Sequence, residues 1–171
     1  MNITQPESVF LAALAADGPD PGHAHAMQIF GQFVGSWDHT WREFGSEKPI
    51  GGSGEWHFGW VLQGRAVQDV FIAYYDDGTL YDYGTTIRAY DPQTQAWNVA
   101  YCGPVTGSLR TFTARMVDDE IVLEGRSSDG HLVHWIFSEI TPATFRWRGE
   151  VSRNNGVTWT LYEEMRLQRR G

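Results

Sequence analysis

From Gly35 onward, apolar and polar residues alternate along the chain, and the alternation persists almost to its end. A period of two is the signature of half-buried β-strands. It predicts about ten of them, at 36–44, 54–62, 66–75, 81–90, 96–101, 110–117, 120–126, 131–140, 145–152 and 158–167. Turn residues separate the strands: Asp76-Asp77-Gly78, Asp118-Asp119, Asp129-Gly130 and Asn154-Asn155-Gly156 are hairpin chemistry, and Asp91-Pro92-Gln93-Thr94 supplies a further turn. No gap is long enough for a crossover helix, which excludes a parallel βαβ sheet. The first 34 residues follow another pattern. Helical patterns cover 6–16, where Pro6 and Glu7 suit the first turn, and 23–33, where Met27, Phe30 and Val34 share one side. The predicted organisation is a helical cap and linker at 1–34 and a single β-domain at 35–171.

An open meander of ten strands would present a wide apolar face and two unpaired edges. Closing the sheet removes both. The expected fold class is therefore all-β, an antiparallel meander barrel of about ten strands capped by one or two short N-terminal helices. A two-sheet sandwich is the alternative. A barrel of this strand number holds a small ligand unless side chains fill it.

Composition narrows the partners. The 171 residues carry a formal net charge of -8, which argues against nucleic acid or an anionic membrane. No apolar run approaches the ~20 residues that a membrane-spanning helix needs. The apolar stretch at 9–16 is preceded by Glu7 and by no Lys or Arg, unlike a secretory signal, so a cytoplasmic location is expected. Cys102 is the only cysteine, which excludes an internal disulfide, and it reads as a small buried hydrophobe.

Catalytic motifs are absent. There is no G-x-S-x-G, and Gly51-Gly52-Ser53-Gly54 reads as a loop before a strand. The six histidines, His23, His25, His39, His57, His131 and His134, show no metal-ligand spacing, although His39 and His57 lie on adjacent strands. Neither a metal nor a cofactor is expected. Polar residues inside strands carry the remaining signal: Gln68, Asp69, Arg88, Arg146, Arg148, Glu150, Glu163 and Glu164. They form a solvated outer face, or they point inward as a paired network that orients a ligand. Arg88 stands out, because its segment is otherwise apolar or Thr-rich and a guanidinium clamps an oxyanion. Trp37, Trp56, Trp60 and Trp135 offer flat walls for an aromatic ligand. The candidate ligand-binding residues are Trp37, Gln68, Arg88, Trp135, Arg148 and Glu150.

Phe33-Val34-Gly35-Ser36-Trp37, an F-x-G-x-W lead into the first strand, resembles the start of calycin barrels, the superfamily of lipocalins and fatty-acid-binding proteins. The stretches 61–69 (VLQGRAVQD), 83–92 (YGTTIRAYDP) and 145–150 (FRWRGE) resemble the lipocalin-like family of unknown function in that superfamily. Residues 152–159 (SRNNGVTW) lie one letter from the Asp-box hairpin S-x-D-x-G-x-T-W. The resemblance implies a soluble barrel that binds a small, partly apolar organic ligand in its interior. Two alternatives stay open. One is a small-molecule isomerase, cyclase or hydrolase using Asp69 or Glu150 as acid–base. The other is a haem-binding barrel with a single axial histidine, as in the nitrobindins. The missing catalytic motifs favour binding over catalysis, and a homodimer that covers exposed tryptophans is a further structural reading.

Overall fold

In the computed structural model, which describes residues 8–45, 47 and 50–171, ten strands pair in chain order and the last returns to the first. Three short helical pieces come first: α1 (Val9–Leu14), a 3₁₀ turn (Pro21–His23) and α2 (Ala24–Gly31). The strands are β1 (Gly35–Glu43), β2 (Ile50–Val61), β3 (Ala66–Tyr75), β4 (Leu80–Asp91), β5 (Ala96–Gly103), β6 (Ser108–Val117), β7 (Glu120–Arg126), β8 (Leu132–Ser138), β9 (Thr144–Ser152) and β10 (Thr160–Arg169). All pairs are antiparallel, and the β1–β10 ladder from Trp37↔Arg169 to Glu43↔Glu163 closes the ring. A closed ring has no edge strand, which sets the sandwich aside. Pro6 and Glu7, expected to open α1, lie outside the described residues. Among the described residues no helix is long and apolar enough to cross a membrane.

Strand β2 begins at Ile50, so the glycine-rich segment expected as a loop belongs to the sheet. The glycines are there because large rings lie across them. Trp41 Nε1 donates to Tyr74 O at 3.0 Å over Gly52, and His39 Nε2 donates to Ile72 O at 3.1 Å over Gly54. A Cβ on Gly52 would stand 1.9 Å from Tyr74 O, and one on Gly54 2.0 Å from Ile72 O. Close approach, not a turn, demands glycine at these positions. Gly54 faces His39, and His57 faces Ser36, so the two strand histidines do not pair across the ladder.

Helix α2 closes one end of the barrel from within. Met27 and Phe30 on α2, and Phe33 just after it, are completely buried. Phe30 meets Trp97 edge-on at 5.0 Å, and Phe33 meets Phe145 at 4.7 Å and Phe137 at 5.1 Å. Trp37 Nε1 donates to Phe33 O at 2.7 Å and fixes the chain as it passes from plug to wall. The outer face has the opposite character. Arg148 binds Glu120 through both terminal nitrogens at 2.8 and 3.0 Å, and Arg170 reaches Asp38 and Glu55. Cys102 also points outward, because Tyr101 takes the inward phase of β5; the expectation of a buried thiol is corrected. None of the eight tryptophans is fully exposed, and Trp60, Trp135 and Trp159 are half-buried.

The plug rests on fully buried aromatic rings, and its loss is expected to be costly. Phe30→Ala should lower unfolding free energy by about 3–5 kcal/mol. Val157→Ala, at a position 79% exposed, should change it by less than about 0.5 kcal/mol. Urea denaturation followed by tryptophan fluorescence measures both.

Candidate functional site

Beyond the plug the barrel is hollow. A cavity of about 830 Å³ opens at the end opposite α2, within the range typical of small-molecule sites. Its walls come from inward positions on most of the strands. Trp56, Phe71, Trp135, Trp147 and Met165 form an apolar belt, and Tyr81, Asp82, Tyr101, Arg110, Tyr162 and Glu163 stand nearer the open end with Glu43. Arg88 and Thr86 lie at the floor.

Arg88 separates the plug from the hollow. It is 1% exposed, and its Nη2 lies 2.6 Å from Asp69 Oδ2, also 1% exposed. Asp69 Oδ1 accepts a 2.9 Å bond from Thr86 N. The guanidinium is packed over Phe30 at 5.1 Å and Phe58 at 5.3 Å. Burial pushes the Asp69 carboxyl upward, while Arg88 and the Thr86 N–H pull the other way. A charge so deeply desolvated persists only because it is paired. Arg88 is therefore a partnered strut whose edge reaches the cavity, not a free clamp.

Two β-bulges build the open end. The β3–β4 register slips between Ala73 and Tyr74, leaving Tyr81 as the extra residue, and the β9–β10 register slips between Leu161 and Glu163, leaving Tyr162. A bulge breaks the strict alternation of faces. At each one, a tyrosine and the acid after it line the cavity together: Tyr81 with Asp82, and Tyr162 with Glu163. Gly149 makes room for the second pair, since a Cβ there would stand 2.5 Å from the Tyr162 ring. Tyr81 donates to Glu43 Oε2 at 3.1 Å, Tyr101 donates to Asp82, and Trp135 Nε1 donates to Tyr162 Oη at 2.6 Å. Burial raises all three tyrosine hydroxyls, which stay protonated donors. Glu163 accepts no hydrogen bond and joins no salt bridge among the described residues. Burial, followed by repulsion from Glu43 and Asp82, pushes its carboxyl up to about 8.

Of the six candidate ligand-binding residues, Arg88 and Trp135 line this cavity, where Trp56 and Glu163, also marked in the sequence, join them. The others stand elsewhere. Trp37 is part of the plug. Gln68 lies on the outer face of β3, bonded to Thr85 Oγ1 at 3.0 Å. Arg148 and Glu150 also face outward, because Phe145, Trp147, Gly149 and Val151 occupy the inward phase of β9. Their alternation was real, but the charged phase is the wet one. Glu43, Asp82 and Arg110 were missed, and Glu163 was marked only as an in-strand polar residue, although each is in phase with buried residues of its own strand: Glu43 with Trp41, Asp82 with Thr86 and Arg88, Arg110 with Phe112, and Glu163 with Met165.

Other constellations are weaker. On the outer face, His57 Nδ1 bonds Ser36 Oγ at 2.9 Å and His57 Nε2 bonds Glu55 at 2.9 Å, the order of a nucleophile–base–acid set. Both strands lie inside the closed ladder, so their N–H groups serve the sheet and leave no oxyanion donors nearby. A second hollow, of about 840 Å³, is an open furrow outside the wall whose charges, Arg170 with Asp38 and Glu55, already satisfy one another. No histidine lines the interior cavity, which leaves a haem reading without an axial ligand there. No cluster fit to hold a metal occurs among the described residues.

No protein-family model matches the chain, and no curated protein matches it. Solved structures do. Rv2717c from M. tuberculosis is 14% identical, over 86% of this chain and 99% of that one, with a TM-score of 0.61. The S-type phycobiliprotein lyase CPES from Guillardia theta is 11% identical, over 88% of this chain and 95% of that one, with a TM-score of 0.64. At such identities the likeness is one of fold alone: a closed antiparallel barrel of ten strands.

The buried pair and the unpaired acid have measurable consequences. Arg88→Met strands a buried carboxylate and should cost about 3–5 kcal/mol, much of it recovered by adding Asp69→Val. Chemical denaturation of the two single variants and the double variant reads this coupling. For Glu163 the raised folded value means that the folded state holds the extra proton. Its stability contribution is complete below about pH 4.5 and is lost as pH rises through about 8. Glu163→Gln should therefore gain on the parent chain by about 1–2 kcal/mol between pH 5 and 9, with water at the open end screening the remainder. Melting curves across that range test the sign.

Proposed function

We propose that this protein is a soluble small-molecule-binding barrel, whose ligand is a compact, partly apolar organic molecule held in the interior cavity. The carrying observation is the hollow itself: about 830 Å³, closed by the α2 plug at one end and open at the other. Its belt of Trp56, Phe71, Trp135, Trp147 and Met165 matches a flat apolar body, and the tyrosines and charges near the open end match a polar group. Such a division, apolar wall with few polar groups, fixes a ligand's orientation while burying most of its surface. Trp135 and Arg88 are the sequence-derived residues retained in this proposal.

A second reading, general acid–base chemistry by an in-barrel carboxyl, gains support from one observation. Glu163 is held near neutrality inside the cavity, where an acid titrates close to working pH. Asp69 and Glu150 do not carry that reading, since Asp69 is locked to Arg88 and Glu150 faces outward.

N-phenyl-1-naphthylamine, a neutral environment-sensitive dye, tests the binding proposal. It should bind with one-to-one stoichiometry and accept energy from tryptophan. Ser108→Trp, which places an indole at the open end, should abolish binding without altering the melting temperature. Absence of saturable binding to the parent chain, or binding that ignores Ser108→Trp, would overturn the proposal.

A further inference from the structure

The charges inside the cavity specify more than a partly apolar guest. Glu43, Asp82 and Glu163 all line it, on β1, β4 and β10. Against them stand Arg110 on β6 and, at the rim, Arg126, which is exposed and donates to Gly130 O at 2.8 Å. Arg88 is already neutralised by Asp69. None of the three carboxylates forms a salt bridge among the described residues. The Tyr81 hydroxyl satisfies one oxygen of Glu43, the Tyr101 hydroxyl and the Tyr83 N–H satisfy both oxygens of Asp82, and Glu163 has no donor among the described residues.

The aromatic surroundings have a matching polarity. Tyr81, Tyr101, Tyr162 and Trp135 present ring faces and edges around the same space, and Tyr81 is stacked on Trp41 at 4.0 Å. Ring faces attract cations, and the attraction grows where water is excluded. Deeper in, Trp56 lines the wall, is 5% exposed, and directs its indole N–H toward the Asp69 carboxylate. A ring-walled outer half that carries Glu43 and Asp82, joined by Glu163 as it ionises, is poorly suited to a carboxylate or phosphate guest, which like charges would repel.

We infer that the cavity recognises an organic cation: an amine or quaternary ammonium group seated among Glu163, Glu43 and Asp82 and faced by tyrosine and tryptophan rings, with its apolar body lying along the inner belt. This inference rests on the binding reading above and supplies its ligand class. The cation replaces the missing partner of Glu163 and relieves the repulsion among the three acids. Binding is then linked to ionisation. The groups that face Glu163 are Glu43 from β1, Tyr81 and Asp82 from β4, Tyr101 from β5, Arg110 from β6 and Tyr162 from β10 itself. The tyrosines stay neutral, so the proton that a bound cation expels comes from Glu163. Affinity for a permanent cation accordingly rises with pH toward about 8.

Displacement of N-phenyl-1-naphthylamine from the full chain tests this with three probes of similar shape: benzyltrimethylammonium, neutral neopentylbenzene and anionic phenylacetate. The ammonium should bind about tenfold or more tightly than phenylacetate, and more tightly at pH 8.5 than at pH 6. Glu163→Gln should weaken the ammonium by about tenfold and change neopentylbenzene by less than about twofold, which also serves as the folding control. Comparison of the three probes on the parent chain needs no variant and stands even where the substitution disturbs the fold. Equal or tighter binding of phenylacetate, or equal weakening of the neutral probe by Glu163→Gln, would overturn the cation assignment and leave cavity binding intact. Failure of the dye itself to bind would instead remove the binding reading.

Discussion

Ring closure governs everything else in this molecule. Once β10 pairs with β1, no edge remains, and every strand must send one phase of its side chains into a common interior. Ten strands enclose more space than those side chains fill. The chain answers this at one end only. Helix α2 drives Phe30 and Phe33 into the barrel, where they complete an aromatic cluster with Trp37, Phe58, Phe137 and Phe145. The other end receives no such insert, and the hollow is the remainder.

The boundary between filled and hollow halves is electrostatic. Arg88 sits under the plug with phenyl rings on its faces and Asp69 at its end, so an ion pair occupies the middle of the barrel. Such a pair is weak evidence for stability, because two charges lose water to form it. Its position matters more. It sets a polar floor beneath an otherwise aromatic belt, and above that belt the two bulges place Tyr81-Asp82 and Tyr162-Glu163 around the opening. The interior thus runs from a neutralised pair, through tryptophan and phenylalanine, to an excess of unpaired acid.

The architecture was largely legible because alternation and turn chemistry are local. The strand count and the two helical patterns follow from spacing alone. What the pattern does not contain is which phase faces in. On β9, Phe145 and Trp147 alternate with Arg146 and Arg148, and the hydrophobic phase went inside, leaving Arg148 and Glu150 on the wall's outer surface. The same rule applied to β1 and β10 places Glu43 and Glu163 inside, in step with Trp41 and Met165. Glu163 stood open between the two faces and Glu43 was not singled out, because charge alone does not decide which face a residue takes. The bulges were not legible at all, since an extra residue changes no composition. Nor was the role of Gly52 and Gly54, whose need for glycine comes from Trp41 and His39 lying across them.

The methionine methyls offer the most direct test of a hollow, ligand-accepting interior, because they report from three environments. Met165 lines the cavity, Met27 is sealed in the plug, and Met116 is exposed near the end of β6. Proton–carbon spectra of methyl-labelled protein titrated with neopentylbenzene should shift Met165 and give it intermolecular Overhauser contacts to the phenyl ring, with Met27 and Met116 unmoved. Contacts at Met116 alone, or a Met165 methyl that never meets the ligand, would contradict an open interior and the account built on it.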